Sequence, residues 1–225
     1  MPPIPQHAQL PPLPRPAALL CDMDGTLVDT EHAWLDTVAG FLRTQGSPAD
    51  AGTLAPFAGA ALADAAGLLS RDGLTTLSPA QAAARLDREF TARVAAGVAV
   101  QPGALRLLDR ARALGVPTAL VTASERHVAD LVLDTLGRHR FDTSVASGET
   151  ERGKPHPDPY LAAAAALGVA APDCLAVEDT PTGAAAALAA GCRLLAVPSV
   201  PGIEPGPRTV LVTSLTEADL ADTAR

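Results

Sequence analysis

The sequence predicts an α/β protein: a parallel sheet flanked by helices, with an all-helical cap inserted after the first strand. Three observations predict it. Short apolar runs stop abruptly at acidic or hydroxyl residues, as buried parallel strands do where they open into loops. Alanine-rich helical segments precede the later runs, which is the alternation of a parallel α/β sheet. About ninety residues separate the first run from the second, far more than one crossover helix occupies, and they carry helical periodicity.

Taken in order, residues 1–16 (MPPIPQHAQLPPLPRP) hold seven prolines and lack the uninterrupted apolar stretch of a signal peptide. They read as a flexible or polyproline tail, with docking to a proline-binding partner as an alternative use. The first strand is Ala17-Ala18-Leu19-Leu20-Cys21, ended by Asp22-Met23-Asp24-Gly25-Thr26. Residues 31–99 form the cap: Trp34, Leu35, Val38 and Leu42 share one helical face, and Leu86, Phe90 and Val94 recur every four positions. Trp34 reads as an anchor of the cap interior. Asp29-Thr30 marks the outgoing hinge, where either side chain is able to cap the first cap helix, and Gln101-Pro102-Gly103 marks the return. Residues 17–30 and 100–225 then make up the core. Its later strands are expected over Val116–Thr122, Cys174–Glu178 and Arg193–Val197. Its helices are expected near 103–114, 125–136, 157–168, 182–190 and 215–223, with Gly115, Gly137, Gly168 and Gly191 as C-caps.

Composition narrows the function. With 48% hydrophobic and 19% charged residues, 225 residues build a proper core. A formal charge of −8 and only 3% aromatics argue against nucleic acid as a partner. No apolar run reaches the ~20 residues of a membrane span. Cys21, Cys174 and Cys192 are few and far apart, which suggests reduced thiols in a cytoplasmic setting and no zinc cluster.

In an open parallel sheet, ligands bind beyond the carboxyl ends of the strands. Four polar sets fall there: Asp22-Met23-Asp24, Thr122-Ala123-Ser124, the loop holding Lys154, and Glu178-Asp179-Thr180. Asp22 and Asp24, two apart on an extended chain, are able to converge on one reacting group. Asp22, Asp24, Glu178 and Asp179 together would repel one another unless a hard divalent cation, best magnesium, sits among them. Magnesium recruits few carboxylates plus phosphate oxygens, and the Thr122 hydroxyl and Lys154 ammonium suit a transferring phosphoryl group. Lys154 is the only lysine against sixteen arginines, which suggests a position that needs a compact point charge.

Each set also has a purely structural alternative. Asp-x-Asp-Gly-Thr is compatible with an ordinary turn, and Glu178-Asp179-Thr180-Pro181 with a helix N-cap and acidic first turn. Thr122 and Ser124 are N-cap candidates too, and Lys154 fits a solvated surface charge. What favours chemistry is that three of the four lie at expected strand ends, in one order, with the Lys154 loop between the second and third. His32, His127 and His156 read as surface or capping histidines.

These residues resemble the haloacid dehalogenase-like hydrolases, specifically the subgroup of beta-phosphoglucomutase and sugar-phosphate phosphatases, over about residues 17–200. The four motifs that carry the resemblance are Asp22-Met23-Asp24-Gly25-Thr26-Leu27-Val28-Asp29-Thr30-Glu31, Val121-Thr122-Ala123-Ser124, Gly153-Lys154-Pro155 and Val177-Glu178-Asp179-Thr180. The resemblance implies a Rossmann-like core, magnesium dependence and an aspartyl-phosphate intermediate. By position, Asp22 is similar to the family nucleophile and Asp24 to its general acid and base, which requires an Asp24 pKa above the ordinary ~3.9. The resemblance places magnesium on the Asp22 carboxylate, the Asp24 carbonyl, Asp179 and Glu178. It assigns the substrate phosphate to Thr122, Lys154 and the backbone of Met23, Gly25, Ala123 and Ser124.

The resemblance also bears on substrate. Residues 31–99 lack the cap lysine of the family's phosphonate hydrolases, and Asp24 supplies the second acid that haloacid dehalogenases lack. A phosphomutase needs a cationic grip in the cap, yet Pro56–Leu62 carries no Arg or Lys, leaving Arg85, Arg88 and Arg93 as substitutes. The expectation is a phosphatase of a sugar or polyol phosphate, working as a monomer or weak dimer. A phosphomutase comes second, and a silent phosphometabolite-binding protein third.

Overall fold

The computed structural model describes residues 11–222. Six parallel strands form the main sheet in the order β5-β4-β1-β6-β7-β8. They are β1 (Leu19–Cys21), β4 (Thr118–Val121), β5 (Thr143–Val145), β6 (Leu175–Glu178), β7 (Arg193–Ala196) and β8 (Thr209–Leu211). A separate antiparallel ribbon pairs β2 (Val28–Asp29) with β3 (Ala99–Val100).

Alternation along the strands sorts two apolar layers. Leu19 and Cys21 face one layer, closed by α5 (Ala104–Ala113) and α6 (Arg126–Leu136). Ala18 and Leu20 face the other, closed by α7 (Asp158–Ala166) and α8 (Pro181–Ala189). Alanine dominates that second layer, so the two helices lie close to the sheet and an added methylene there costs roughly 1–3 kcal/mol.

Between β2 and β3 run α1 (Thr30–Thr44), α2 (Ala51–Leu54), α3 (Leu62–Arg71) and α4 (Pro79–Ala96). Trp34, Val38, Phe41, Phe57, Leu69 and Leu86 form their shared interior. The Trp34 indole N–H donates to the Phe57 carbonyl at 2.8 Å, and its ring meets Phe90 edge-on at 5.6 Å. Asp29 caps α1 by accepting the His32 N–H, and α4 starts with a Ser78–Gln81 capping box. The segments leaving and re-entering the core are tied to each other: Val28 pairs with Val100, and the Gln101 N–H donates to the Leu27 carbonyl at 2.9 Å. Val94, at the far end of α4, packs into the main core.

Several expectations need correction. Strands β5 and β8 went unforeseen: each is a three-residue strand at a sheet edge, without a long apolar run. The helix expected at 215–223 is only a 3₁₀ turn, Leu215–Glu217. Its carbonyls are claimed elsewhere, since the Arg106 guanidinium donates to Leu215, Thr216 and Ala218, and Arg110 donates to Leu220. Residues 1–10 of the expected tail, and 223–225 of that helix, lie outside the described residues. Residues 11–16 do not behave as a free tail: Leu13 packs on the core and bonds Asp219 and Ala221 through its backbone, and the Pro14 carbonyl accepts from Arg193. Among the described residues, no helix is long and apolar enough to cross a membrane, and Cys21, Cys174 and Cys192 are buried and unbridged.

Candidate active site

Strand order switches at β1: β4 and β5 lie on one side of it and β6 to β8 on the other. The crevice such a switch creates lies beyond the strand ends, and every one of the four sequence sets arrives there. Asp22 follows β1, Thr122 to Ser124 follow β4, and Glu178 ends β6 with Asp179 just beyond. Lys154 reaches the same place from the loop before α7.

Lys154 is the hub. Its ammonium donates to Asp22 Oδ1 at 2.6 Å, Glu178 Oε1 at 2.6 Å and the Val121 carbonyl at 2.9 Å. Burial works against that charge, but the Asp22 and Glu178 carboxylates outweigh it and hold the ammonium above the ordinary lysine range. Glu178 is fully buried, and its Oε1 also accepts the Tyr160 hydroxyl at 2.6 Å.

Asp24 is held differently. Its Oδ2 accepts the Ser124 and Thr122 hydroxyls at 2.7 and 3.0 Å, and its Oδ1 accepts Thr30 at 2.6 Å. Burial, followed by the neighbouring Asp22 charge, raises its pKa above the ordinary carboxylate range despite those three donors. Two carboxylates two residues apart therefore differ in surroundings: Asp22 bonds an ammonium, while Asp24 sits among hydroxyls with its pKa raised.

Asp22, Glu178 and Asp179 bring oxygen atoms within 4.8 Å of one another, and all three are buried. Burial and the Asp22 charge push the Asp179 pKa up to about 7, against opposing bonds from Ser199 and Thr26. Three carboxylates face one ammonium here, so a hard divalent cation fits this oxygen set. The Asp24 side chain lies outside the group, on its hydroxyl partners. Gly25 makes the approach possible: its φ is +79°, and a Cβ there would stand 2.1 Å from Asp179 Oδ2.

The expected phosphate cradle is partly engaged within the protein. The Gly25 N–H donates to the Val28 carbonyl at 2.9 Å, and the Ser124 N–H to Thr122 Oγ1 at 2.9 Å. Thr180, rather than Glu178 or Asp179, caps α8, and Glu125, rather than Thr122 or Ser124, stands at the N-cap of α6. Sequence reasoning missed Tyr160, Thr30 and Gly183. Tyr160 is the chain's one tyrosine, buried just after the Lys154 loop, and that was the signal available.

A sequence model of the haloacid dehalogenase-like hydrolases matches residues 16–191. Hexitol phosphatase A of Escherichia coli K12 is 35% identical over 188 residues, covering 79% of this chain and 81% of that protein. Validoxylamine A 7'-phosphate phosphatase of Streptomyces hygroscopicus subsp. limoneus is 32% identical over 177 residues, covering 76% of this chain and 81% of that protein. The crystal structure of CbbY from Rhodobacter sphaeroides, in complex with phosphate, superposes with a TM-score of 0.77. It covers 90% of this chain and 96% of that one at 24% identity, a likeness of fold.

Proposed function

This chain belongs to the haloacid dehalogenase-like hydrolases, and from that premise we propose that it is a magnesium-dependent phosphatase of a small phosphorylated metabolite, a sugar or polyol phosphate. The observation that carries the proposal is the contrast between Asp22, bonded to Lys154, and Asp24, half-buried among hydroxyls with a raised pKa. Residues 31–99 act as the cap, and 17–30 with 100–225 as the catalytic core.

An Asp22 carboxylate oxygen attacks phosphorus, the bond from phosphorus to the ester oxygen breaks, and the Asp24 carboxylic acid gives its proton to the departing alkoxide. Asp24, now a carboxylate, takes a proton from water as that water attacks the aspartyl phosphate. Inorganic phosphate leaves and Asp22 is restored. Lys154 fixes the Asp22 rotamer, while Thr122, Ser124 and Thr30 orient Asp24. Asp22, Asp179, Glu178 and the Asp24 carbonyl would hold the magnesium ion, which when bound neutralises charge on the transferring phosphoryl oxygens. Two relatives, named hexitol phosphatase A and validoxylamine A 7'-phosphate phosphatase, support a polyol-like substrate.

Of the three cap arginines a phosphomutase would draw on, two are engaged within the cap and Arg88 stands exposed on α4. Arg85 is committed to Glu89 and Thr44 and stacks over Phe41, Arg93 reaches the Asp36 carbonyl, and Phe57 of the loop is turned into the cap interior. The test is phosphate release from a sugar- and polyol-phosphate panel with magnesium, run beside glucose 1-phosphate isomerisation. Asp22→Asn and Asp24→Asn are expected to abolish release with the fold intact. Unchanged turnover in Asp22→Asn ends the nucleophile assignment, and isomerised product without free phosphate overturns the phosphatase reading.

A further inference from the structure

Between cap and sheet lies a cavity of about 190 Å³, walled by Leu62, Asp87 and Phe90 from the cap and Ser124, Glu125 and Val128 from the core. It adjoins the general acid, because Ser124 lines it and donates to Asp24 at 2.7 Å. An alcohol that receives its proton from Asp24 departs along this wall, so the lining decides what else that alcohol can carry.

The lining is apolar apart from its hydroxyls and two carboxylates, Asp87 and Glu125, and it includes no lysine or arginine. Arg88 of α4 is exposed and stands outside the lining, and other cations nearby are engaged elsewhere. Lys154 is held by Asp22 and Glu178, and Arg126 is paired with Glu149 at 2.6 Å. His127 of α6 spends Nε2 on Asp87 at 3.1 Å and Thr91 at 3.0 Å. A second anionic group in the substrate therefore meets like charge from both cap and core, with no lysine or arginine in the lining to balance it.

We propose that Asp87 and Glu125 determine specificity as an electrostatic filter. They admit phosphomonoesters whose organic part is neutral or cationic and turn away those bearing a carboxylate or a second phosphate. The inference rests on the phosphatase reading above and adds the substrate's charge class. At a separation of about 10 Å and an effective dielectric of about 20, each added like-charge pair costs roughly tenfold.

The test compares kcat/KM of the full chain, with magnesium, for substrates matched in size: glucitol 6-phosphate against 6-phosphogluconate, and 4-hydroxymethylphenyl against 4-carboxyphenyl phosphate. The neutral member is expected to win by about tenfold or more at low ionic strength, and that preference is expected to shrink at about 1 M salt, where screening reaches ~3 Å. Glu125→Gln and Asp87→Asn should each narrow the ratio severalfold, and Glu125→Lys should turn it toward the carboxylate. Asn at position 87 still offers His127 a hydrogen-bond partner, so a packing defect is not the readout. A ratio that ignores salt and all three variants, while phosphomonoesters are still hydrolysed, overturns the filter alone. If no phosphomonoester is hydrolysed, the phosphatase reading fails, and the filter with it.

Discussion

Replacing Gly183 with alanine sets helix propensity against the position of a buried carboxylate, and the sign of the outcome is readable. Gly183 is the third residue of α8 and has an ordinary helical backbone, so propensity alone favours alanine by about 1 kcal/mol. Its Cβ, however, would stand 1.9 Å from Glu178 Oε1 and 2.1 Å from Oε2. Glu178 has no room to recede, because it is fully buried and its Oε1 holds both Lys154 and Tyr160. Displacing it strips a partner from a buried ammonium and a buried hydroxyl. Breaking such a pair costs about 3–5 kcal/mol, and the low end applies because Asp22 and the Val121 carbonyl still hold Lys154. Subtracting the propensity gain leaves a net loss of about 2 kcal/mol, a Tm fall of roughly 4–8 °C for a chain of this length. Gly67→Ala in α3 is the control, since nothing lies within 4 Å of its Cβ position and only propensity acts there. Thermal unfolding of both variants, with phosphate release measured beside it, decides the matter. A Tm for Gly183→Ala at or above that of the unaltered chain, matching Gly67→Ala, would refute the claim that Glu178 is locked between Lys154, Tyr160 and α8.

Lys154→Arg preserves the charge but not its point geometry, and three acceptors converge on one nitrogen at 2.6–2.9 Å; phosphate release should fall by about 10²–10³. A rate within threefold of the unaltered chain, read by steady-state assay, would sink that assignment. Asp179 predicts a pH dependence of stability in chelator. Its pKa is raised from 3.8 to about 7, so the folded state binds the proton more tightly than the unfolded one. That contribution is complete below about pH 4, amounts to about 4 kcal/mol at most, and is lost as pH rises through about 7. Tm in EDTA should therefore drop between pH 5 and pH 8, and magnesium should restore more at the higher pH; equal restoration at both would count against the acidic set as the metal site. In the cap, Trp34→Phe keeps the ring but orphans the buried Phe57 carbonyl, with an expected loss of about 1–3 kcal/mol. An unchanged urea midpoint would show that water replaces the indole donor.

How far the site was legible follows from where each residue stands along the chain. Asp22, Thr122 and Glu178 could be found because each lies at the abrupt end of an apolar run, and a parallel sheet delivers all such ends to one rim. Lys154 has no strand beside it; its solitude among sixteen arginines marked it instead. Thr30, Tyr160 and Gly183 were missed for a different reason. Threonine at a helix start, tyrosine in an apolar helix and glycine among alanines are each locally ordinary. Their roles exist only across the fold, where Thr30 donates to Asp24, Tyr160 to Glu178, and Gly183 gives Glu178 room. The C-terminal helix failed on the same principle in reverse. Residues 215–223 have helical periodicity, but periodicity is silent about Arg106 and Arg110, more than a hundred residues earlier, which take the carbonyls a helix needs. Local pattern thus locates the groups that react, because strand ends are local events. The groups that tune them belong to other elements, and so do Asp87 and Glu125, which face one cavity from the middle of α4 and the N-cap of α6, positions that no spacing rule connects.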